Sequence, residues 1–557
     1  AAAAAVAADP EVPPAAESSG GREAGSPLEV VRRLVARRAE LPVASVRAGD
    51  RALSDLHLSS LAVGELVVEA ARALGAGPPA APTDFADASV AEIAAALEEL
   101  AAGGDAREEA GPPPGAAPWV RPFVVDLVAA PPAGAWASEP APPEVLAPPK
   151  LPGARRLREL LGAPAAPGPP SDPSPGTLVW LPDELDPAAL ELLLAGAHRA
   201  LEATVPGGRP GRFVLVHSGV GAGFARSLHL ERRGGEVLVL QVPATAARAA
   251  EWVAAELRSA PVEGYREVVF DRRGVRRAPV LRLWEAPSGR RRRRGAGPPL
   301  GADDVLLVSG GGRGIAAEAA LALARRTGCA LALLGRSLPD ASPALARNLE
   351  RLERTGVRFA YHAADVTDPG ATAAAVARAE AELGPVTALL HAAGVNLPRP
   401  LSRMDPAALA EPLAPKVLGL DNLLAAVAPE GLRLLLAFGS LIARTGMPGE
   451  AHYALANEAL ARAVERFGRR HPGCRCLTLE WSVWSGVGMG ERLAGGEAMR
   501  RRGIEPIPPD RGIEALLELL GEPGAAGPMV VTGRFGDSPT VALEPRELPF
   551  LRFLERP

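Results

Sequence analysis

The sequence predicts a multidomain protein: a small four-helix bundle, followed by a doubly wound, Rossmann-like α/β region in two halves. Residues 28–100 carry apolar residues at helical spacing. Residues 119–547 alternate short apolar runs with amphipathic stretches, which is typical of a parallel sheet covered by helices. Gly- and Pro-rich segments separate these regions, and 557 residues exceed the size of one core, so we expect several domains.

Composition argues against several classes of function. The net charge of −4 gives no support for binding nucleic acid. No uncharged apolar run reaches the roughly 18 residues of a membrane-spanning helix, and the Ala-rich start lacks the basic segment of a signal peptide, so we expect no membrane partner. Cys329, Cys474 and Cys476 show neither a disulfide framework nor zinc spacing. We therefore predict no metal site and a reducing, cytoplasmic location.

The helical region follows a linker-like segment, residues 1–27, which is rich in Ala, Pro, Gly and Glu. Within residues 28–100, three amphipathic helices are predicted from PLEVVRRLVARRAEL, SSLAVGELVVEAARALG and VAEIAAALEEL. The segment TDFAD between the last two predicts a short fourth helix. Four helices in about seventy residues form a small bundle.

Ser60 lies at the predicted start of the second helix, in DLHLSSLAVGEL. A serine there can simply cap the helix. The pattern of Ser60, Leu61, Glu65 and Leu66 after an acidic loop also resembles acyl carrier proteins. This resemblance implies that a phosphopantetheinyl transferase attaches a 4′-phosphopantetheine arm to Ser60, where a helix N-terminus favours the phosphodiester anion. Carrier proteins usually have Asp before this serine; here Ser59 stands there and is a rival acceptor.

The first α/β half, residues 119–300, follows a second linker, residues 101–118. A Pro-rich insertion at 131–175 surrounds one predicted helix, ARRLRELLG. This half lacks a glycine loop after its first strand and lacks a set of Ser, Tyr and Lys, so we interpret it as structural. It ends in the run Arg290–Arg294, which we interpret as a solvated linker because the chain as a whole is acidic.

The second half, residues 301–547, adds the features of a dinucleotide-binding site. In DVLLVSGGGRGIAAEAALALARR, a buried strand leads through a glycine turn into a helix, whose N-terminus would face a pyrophosphate. The predicted cofactor-binding residues of this turn are Gly310, Gly311, Gly312, Arg313, Gly314 and Ile315.

Three later strands add further cofactor contacts. Arg336 ends the second strand, where NAD enzymes place Asp or Glu, so its charge favours the 2′-phosphate of NADPH. Asp365 and Val366 follow the third strand and are predicted to meet the adenine. The fourth strand ends in a turn of small residues that lets the cofactor pass closely; these are Ala392, Ala393 and Gly394.

Lys416, Ser440, Tyr453 and Asn457 form a candidate catalytic set on this scaffold. The chain has only two lysines and three tyrosines, which makes Lys416 and Tyr453 notable. In the reduction of a ketone, a phenol can donate the proton to the carbonyl oxygen and a serine can hold that oxygen. We expect positive charge from Lys416 to lower the pKa of Tyr453, and Asn457 to order a proton relay.

This set resembles the short-chain dehydrogenase/reductases, and more closely the ketoreductase domains of modular and iterative type I polyketide synthases. Ordinary members place the lysine four residues after the tyrosine, where this chain has Asn457; here Lys416 comes earlier, in LAPKVLGLDNLL, as in polyketide and fatty acid synthase ketoreductases. The resemblance implies that Tyr453 donates the proton, that Ser440 holds the substrate oxygen, and that NADPH reduces a 3-oxoacyl thioester carried on Ser60. It also places a substrate lid at 497–505, after EWSVWSGVGMGERL.

Some residues depart from the family pattern. Ala316 replaces the third fingerprint glycine. Stereochemical markers of these ketoreductases are absent: Asn396, Leu397 and Pro398 stand where one class has L-D-D, and Thr445 stands where the other has Trp. The sequence therefore leaves the configuration of the alcohol open.

The resemblance also implies partners in a larger synthase. These are a ketosynthase, an acyltransferase and a dehydratase, with residues 548–557 as the linker towards the last. The chain reads as a piece of such a protein, and the carrier-before-reductase order resembles certain iterative synthases. Two alternatives stay open: a fatty acid or polyunsaturated lipid synthase with the same chemistry, and a vestigial reductase that serves as a non-catalytic scaffold.

Overall fold

The protein is described by a computed structural model in which two compact units, Ala1–Ala117 and Pro118–Pro557, are distinguished. The structure describes residues 26–39, 41–52, 54–56, 58, 60–74, 85, 88–102, 119–132, 134, 142–162, 176–202, 211–232, 234–259, 263–285, 297–488, 504–534 and 538–544.

The first unit contains three α-helices that pack on one another: α1 Pro27–Arg38, α2 Ser60–Ala73 and α3 Val90–Ala102. A 3₁₀ turn, Val43–Ser45, follows α1. Helix α3 starts with a capping box, because Ser89 Oγ accepts from Glu92 N at 3.2 Å and Glu92 Oε2 accepts from Ser89 N at 2.7 Å. The helices bury an aliphatic core that includes Val35, Leu66 and Ile93. The three predicted main helices are thus present.

Two sequence predictions for this unit concern residues that the structure leaves largely undescribed. Of the TDFAD segment only Phe85 is described, and its side chain packs against the aliphatic core. Ser59 lies outside the described residues, whereas Ser60 is the first residue of α2. The identification of this unit as an acyl carrier bundle stays a prediction.

The second unit begins with a region of strands and helices that corresponds to the predicted structural half. Its elements are β1 Arg121–Ala129, β2 Glu144–Leu146, α4 Pro152–Leu161, β3 Gly176–Trp180, α5 Pro187–Glu202, β4 Arg212–His217, α6 Ala222–Glu231, β5 Glu236–Gln241, α7 Ala249–Leu257, β6 Gly264–Phe270 and β7 Arg276–Leu283. Helix α4 matches the helix predicted within the Pro-rich insertion. The edge strand β2 was not predicted, because three residues between prolines carry too little periodicity to indicate a strand.

The remaining elements form the predicted catalytic half. They are β8 Val305–Ser309, α8 Gly314–Thr327, β9 Ala330–Gly335, α9 Pro343–Thr355, β10 Phe359–Ala363, α10 Pro369–Leu383, β11 Ala388–His391, α11 Pro406–Ala410, α12 Gly419–Ala426, β12 Leu434–Ser440, α13 Ile442–Thr445, α14 Ala451–Arg470, β13 Arg475–Trp481, α15 Pro509–Gly521, β14 Gly527–Thr532 and β15 Ala542–Leu543.

One sheet of fifteen strands runs through both halves. Its order is β10-β9-β8-β11-β12-β13-β14-β1-β7-β6-β5-β4-β3-β2, and β15 pairs with β7. Strands β8 to β14 pair in parallel, as do β2 to β6, while β1 pairs antiparallel with both β14 and β7. The prediction of a Rossmann-like α/β fold with a mainly parallel sheet is confirmed, and β1 is the strand that joins the two halves.

The sheet of the catalytic half is covered by helices on both faces, which explains why its strands read as continuous apolar runs. In β8, Leu306 and Val308 point to a core shared with α8 and α15. Val305 and Leu307 point to the opposite core, which α10, α12 and α14 complete. Within the described residues, no helix combines the length and apolar character that crossing a membrane requires.

Candidate active site

The predicted cofactor residues and Ser440 lie at the carboxyl ends of neighbouring parallel strands, whereas Lys416, Tyr453 and Asn457 lie on helical segments. Strands β8 and β11 are adjacent, and the chain proceeds from β8 towards β9 and β10 on one side and from β11 towards β12 on the other. This change of direction opens a crevice at the carboxyl edge, where ligands of doubly wound sheets bind.

The glycine turn between β8 and α8 has the geometry that a close-approaching ligand requires. Gly310 has φ +71°, and a Cβ there would lie 3.1 Å from the Ala392 carbonyl, so a side chain is excluded by conformation and by space. Gly314, at φ +69°, begins α8, a helix of 14 residues. A Cβ on Gly311 would meet Val308 at 2.7 Å. The helix N-terminus therefore presents backbone N–H groups that suit a diphosphate.

Two arginines stand close to this turn. Arg313 is exposed and is the residue before α8. Arg336 follows β9; its side chain is 66% exposed, and its Nη1 lies 3.9 Å from Asp365 Oδ2. This loose pair leaves the other guanidinium donors of Arg336 able to bind an anion. Val366 is buried, and its carbonyl accepts from Asn422 Nδ2 at 2.8 Å, which fixes the backbone after β10.

Lys416 lies in a π-helical turn, Ala414–Leu418, a conformation that often marks functional sites. It is 2% exposed, its Nζ donates to the Phe438 carbonyl at 3.2 Å, and the same atom lies 5.5 Å from the centroid of the Tyr453 ring. A Cβ at Gly394 would come within 3.3 Å of Lys416 Cε, so glycine leaves room for the lysine. Burial lowers the pKa of the Lys416 ammonium to about 8.

A buried histidine that the sequence analysis missed holds the backbone of Lys416. His391 Nε2 donates to the Lys416 carbonyl at 3.1 Å, and its Nδ1 accepts from Ser309 Oγ at 2.7 Å. Burial, reinforced by Lys416, lowers the pKa of His391 to about 3, so the ring is neutral. A histidine at the end of the otherwise apolar strand β11 was the available signal.

Tyr453 and Asn457 lie one turn apart on α14, and both are buried. Asn457 Nδ2 donates to the Tyr453 carbonyl at 2.7 Å, while its Oδ1 is buried without a partner among the described residues. Ser440 ends β12, half-buried, and its Oγ accepts from Ile442 N at 3.3 Å. The structure thus brings Lys416 and Tyr453 together, with Asn457 next to Tyr453 and Ser440 two residues from the carbonyl that Lys416 binds.

One expectation about this set was wrong. The pKa of Tyr453 is not lowered but raised to about 12, because burial of the phenol outweighs the opposing effect of Asn457, and Glu450 adds to the rise. Lys416 Nζ donates to the Phe438 carbonyl and lies over the face of the Tyr453 ring. Its positive charge does not offset the effect of burial on the pKa of Tyr453.

Glu450, also missed from the sequence, precedes α14 directly. It is only 4% exposed, its side chain does not cap the helix, and its Oε2 is buried without a partner among the described residues. Burial raises the pKa of this carboxyl to about 7. An acidic residue before a helix ordinarily predicts a charge that stabilises the helix N-terminus, so the burial and raised pKa of Glu450 were not predicted.

Helix α6 of the first α/β half is hydrogen-bonded to the segment between β12 and α14, which links the candidate residues Ser440 and Tyr453. Arg226 Nη1 donates to the Ala443 carbonyl at 2.7 Å. Ser227 Oγ accepts from Met447 N at 3.2 Å, and Glu231 Oε1 accepts from Gly449 N at 3.0 Å. A helix of the predicted structural half therefore holds the loop that leads into Tyr453.

Several predicted features fall on undescribed residues. Of the lid predicted at 497–505, only residues 504 and 505 are described. The run Arg290–Arg294 and the segment 548–557 also lie outside the described residues. The tract before the predicted lid is described as far as Gly488. A Cβ on Gly488 would lie 3.3 Å from the Ile315 side chain, so this residue lies against the glycine turn.

Comparison with known proteins identifies a domain match within the second unit. Residues 305–486 match the family model of the KR domain. Erythronolide synthase EryA3 of Saccharopolyspora erythraea is 34% identical over 290 residues, which cover 51% of this chain and 8% of that protein. The 6-methylsalicylic acid synthase of Penicillium terrestre is 34% identical over 191 residues, covering 33% of this chain and 10% of that synthase. The chain therefore spans a small part of the length of these relatives.

Solved structures show the same fold. A ketoreductase from the first module of phoslactomycin biosynthesis in Streptomyces sp. HK803 aligns with TM-score 0.61 and 24% identity, covering 75% of this chain and 94% of that one. An A1-type ketoreductase aligns with TM-score 0.62 and 22% identity, covering 74% and 93%. Residues 305–486 thus match the KR domain model, the second unit shares its Rossmann-like fold with solved ketoreductases, and the relatives with similar sequence include the polyketide synthase GfsA of Streptomyces halstedii.

Proposed function

We propose that this chain reduces a 3-oxoacyl thioester to a 3-hydroxyacyl thioester within a polyketide synthase, with NADPH as reductant and with the acyl group carried on Ser60. The observation that carries the proposal is the buried pairing of Lys416 with Tyr453, 5.5 Å from Nζ to ring centroid, at the carboxyl edge of the sheet. Lys416 has no carboxylate partner in the part of the chain that the structure describes, and a buried lysine of this kind would be costly in a merely structural role.

The chain's own residues account for the proton side of the reaction. NADPH supplies the hydride when bound. Tyr453 donates the proton to the carbonyl oxygen, and the neutral phenol it needs is secured by a pKa of about 12. Ser440 holds the same oxygen by a hydrogen bond. Lys416 stabilises the phenolate that remains, and the unpartnered Oδ1 of Asn457 accepts from the group that returns the proton.

The residues around the glycine turn fit NADPH. The N-terminus of α8 and the close-packed Gly310 would hold the diphosphate. The exposed guanidinium of Arg336, with Arg313 nearby, would bind the 2′-phosphate that distinguishes NADPH from NADH. Asp365 pairs only loosely with Arg336 and does not neutralise this anion site at close range.

Ser60 is proposed as the attachment point of 4′-phosphopantetheine. It is the first residue of α2, so a phosphodiester on it would lie near the positive end of a helix of 14 residues. The partners are a phosphopantetheinyl transferase, the tethered acyl chain and the other synthase domains. Intact mass after treatment with a transferase tests this: the gain of one arm should disappear in Ser60→Ala and persist in Ser59→Ala. The reverse result would assign Ser59.

The reductase is tested by NADPH oxidation on a 3-oxoacyl thioester. We expect Tyr453→Phe to lower kcat by at least about 100-fold, since it removes the proton donor. Tyr265→Phe is the matched control, because Tyr265 lies in the structural half and bonds Glu267. A wild-type chain that neither binds NADPH by fluorescence nor reduces the thioester would instead identify a vestigial scaffold.

A further inference from the structure

We propose that Ser309 and His391 form a buried positioning pair for Lys416. The pair sets where the lysine lies relative to Tyr453, and it joins the lysine to the strand end that carries the glycine turn. This inference rests on the proposed function and deepens it, because it assigns to the reaction two further residues that act through Lys416 and not by contact with the substrate.

The hydrogen bonds of the pair run in one direction. A carbonyl can only accept, so the contact of 3.1 Å between His391 Nε2 and the Lys416 carbonyl makes Nε2 the nitrogen that carries the proton. The buried ring is neutral, so Nδ1 accepts, and the Ser309 hydroxyl donates to it at 2.7 Å. Ser309 Oγ accepts in turn from Ala392 N at 3.3 Å and Ala393 N at 3.4 Å. The polar atoms of both side chains are thus all used, and the ring has one orientation.

Both residues stand in strands that are otherwise apolar. His391 and Ser309 are direct partners in the register of the parallel strands β11 and β8, and each is 0% exposed. The other residues of the two strands are Val, Leu and Ala. Burying two polar side chains in such a core costs stability unless their hydrogen bonds compensate. The bond that leaves the sheet goes to the carbonyl of Lys416, which indicates that holding this residue is what the pair does.

Lys416 is held at both of its ends. Its carbonyl accepts from His391, and its Nζ donates to the Phe438 carbonyl at 3.2 Å. A lysine has a flexible stem, so Nζ keeps its distance of 5.5 Å from the centroid of the Tyr453 ring only if the backbone is fixed as well. The imidazole also packs under the following helix, since a Cβ on Gly419 would lie 3.6 Å from His391 Cε1. Loss of the His391 bond would therefore release the π-helical turn and let Nζ move away from the phenol.

The pair also connects Lys416 to the cofactor side of the site. Ser309 directly precedes Gly310, where a Cβ would lie 3.1 Å from the Ala392 carbonyl, so the two strand ends are packed closely here. Along the chain, 25 residues separate His391 from Lys416. The side-chain contact replaces this long path by one hydrogen bond, and it makes the place of the lysine depend on the strand end that leads into the glycine turn.

Substitutions in the whole chain test the pair, with NADPH oxidation on the N-acetylcysteamine thioester of 3-oxopentanoate as the readout. We expect His391→Phe, which keeps a ring but removes both hydrogen bonds, to lower kcat about 10- to 30-fold and to leave KM and NADPH affinity within about threefold of wild type. His391→Gln, which keeps a donor near the position of Nε2, should bring kcat back to within about threefold. Ser309→Ala removes one hydroxyl and should lower kcat about 3- to 5-fold.

A double-mutant cycle decides whether the pair acts through the lysine. In the Lys416→Met background, His391→Phe should lower kcat by less than about twofold, because the group that it positions is gone. A loss as large as the one in the presence of Lys416 would overturn the proposal and leave His391 with a structural role, as would full activity of His391→Phe. The control is His362→Phe. His362 is a partly buried histidine on β10 whose Nε2 lies 3.4 Å from Glu382 Oε1, and its replacement should leave kcat unchanged in either background.

Misfolding and failure of the proposed function give other results. If thermal unfolding shows that His391→Phe does not fold, Ser309→Ala takes its place in the same cycle, where a loss that persists in the Lys416→Met background would count against the pair. A wild-type chain that does not reduce the thioester would reject the proposed function and the positioning role with it. An active wild type with additive losses would reject the pair alone.

Discussion

Glu458 Oε2 accepts hydrogen bonds from the backbone N–H groups of Gly223, at 2.9 Å, and of Gly221, at 3.0 Å. Glu458 follows Asn457 on helix α14, whereas the two glycines lie at the start of α6 in the first α/β half. A carboxylate at a helix N-terminus is favoured by the helix dipole, and here the contact is buried. The first α/β half thus helps to position the helix that carries Tyr453.

Glu458→Ala should therefore uncouple the two halves. It removes two charge-assisted hydrogen bonds and leaves two buried N–H groups unpaired, for a loss of about 2–4 kcal/mol in the free energy of unfolding. The kcat for ketone reduction should fall with it, because α14 loses its fixed position. Glu465→Ala, on the same helix and paired only with Arg462, should change stability by less than about 0.5 kcal/mol. Equal effects of the two variants in denaturant titrations would disprove the coupling.

Arg336 should decide the choice of cofactor. Arg336→Asp places a carboxylate where the 2′-phosphate would bind, so we expect KM for NADPH to rise by on the order of 10- to 100-fold and KM for NADH to change little. Steady-state kinetics with both cofactors measure this. The control is Arg358→Ala. Arg358 is exposed and precedes β10, at the end of the strand opposite to Asp365, so the substitution should leave both KM values unchanged. A uniform loss with both cofactors would mean that Arg336 supports the fold instead.

Lys416→Met should separate function from stability. We expect kcat/KM to fall by at least about 100-fold, since the phenolate of Tyr453 loses its cation. Yet the variant should be more stable near pH 7, because folding depresses the lysine pKa from 10.5 to about 8. The unfolded wild type binds more protons between these values, so wild-type stability rises with pH there.

The free energy of unfolding of Lys416→Met should exceed that of the wild type by less and less as the pH rises from 8 to 10.5. The depressed pKa corresponds to a difference of up to about 3 kcal/mol at pH 7. Unfolding free energies of both proteins at pH 7 and pH 10 give the comparison. A difference that stays constant with pH would show that the lysine is not held in a desolvated state.

Local patterns were enough to predict much of the fold and the site. The apolar strands, the glycine turn and the positions of Lys416 and Tyr453 depend on short segments, whose periodicity and residue types are legible in the sequence. Burial, in contrast, depends on residues distant in the sequence. The raised pKa values of Tyr453 and Glu450 follow from the residues that pack around them, which sequence spacing does not reveal. The same holds for β1, which pairs with one strand about 150 residues away and with another more than 400 residues away.

Glu450→Gln should show the opposite pH dependence to Lys416→Met. Burial raises the pKa of Glu450 from 4.5 to about 7, so the folded state binds more protons than the unfolded state between these values, and wild-type stability falls as pH rises through them. Glutamine does not titrate. The free energy of unfolding of Glu450→Gln relative to wild type should therefore increase from pH 4.5 to pH 7, by up to about 3 kcal/mol. Denaturant titrations at pH 5 and pH 8 measure it, with Glu465→Gln as control. If the difference between variant and wild type were the same at both pH values, the pKa of Glu450 would be the same in the folded and unfolded protein, and the effect of its burial would be disproved.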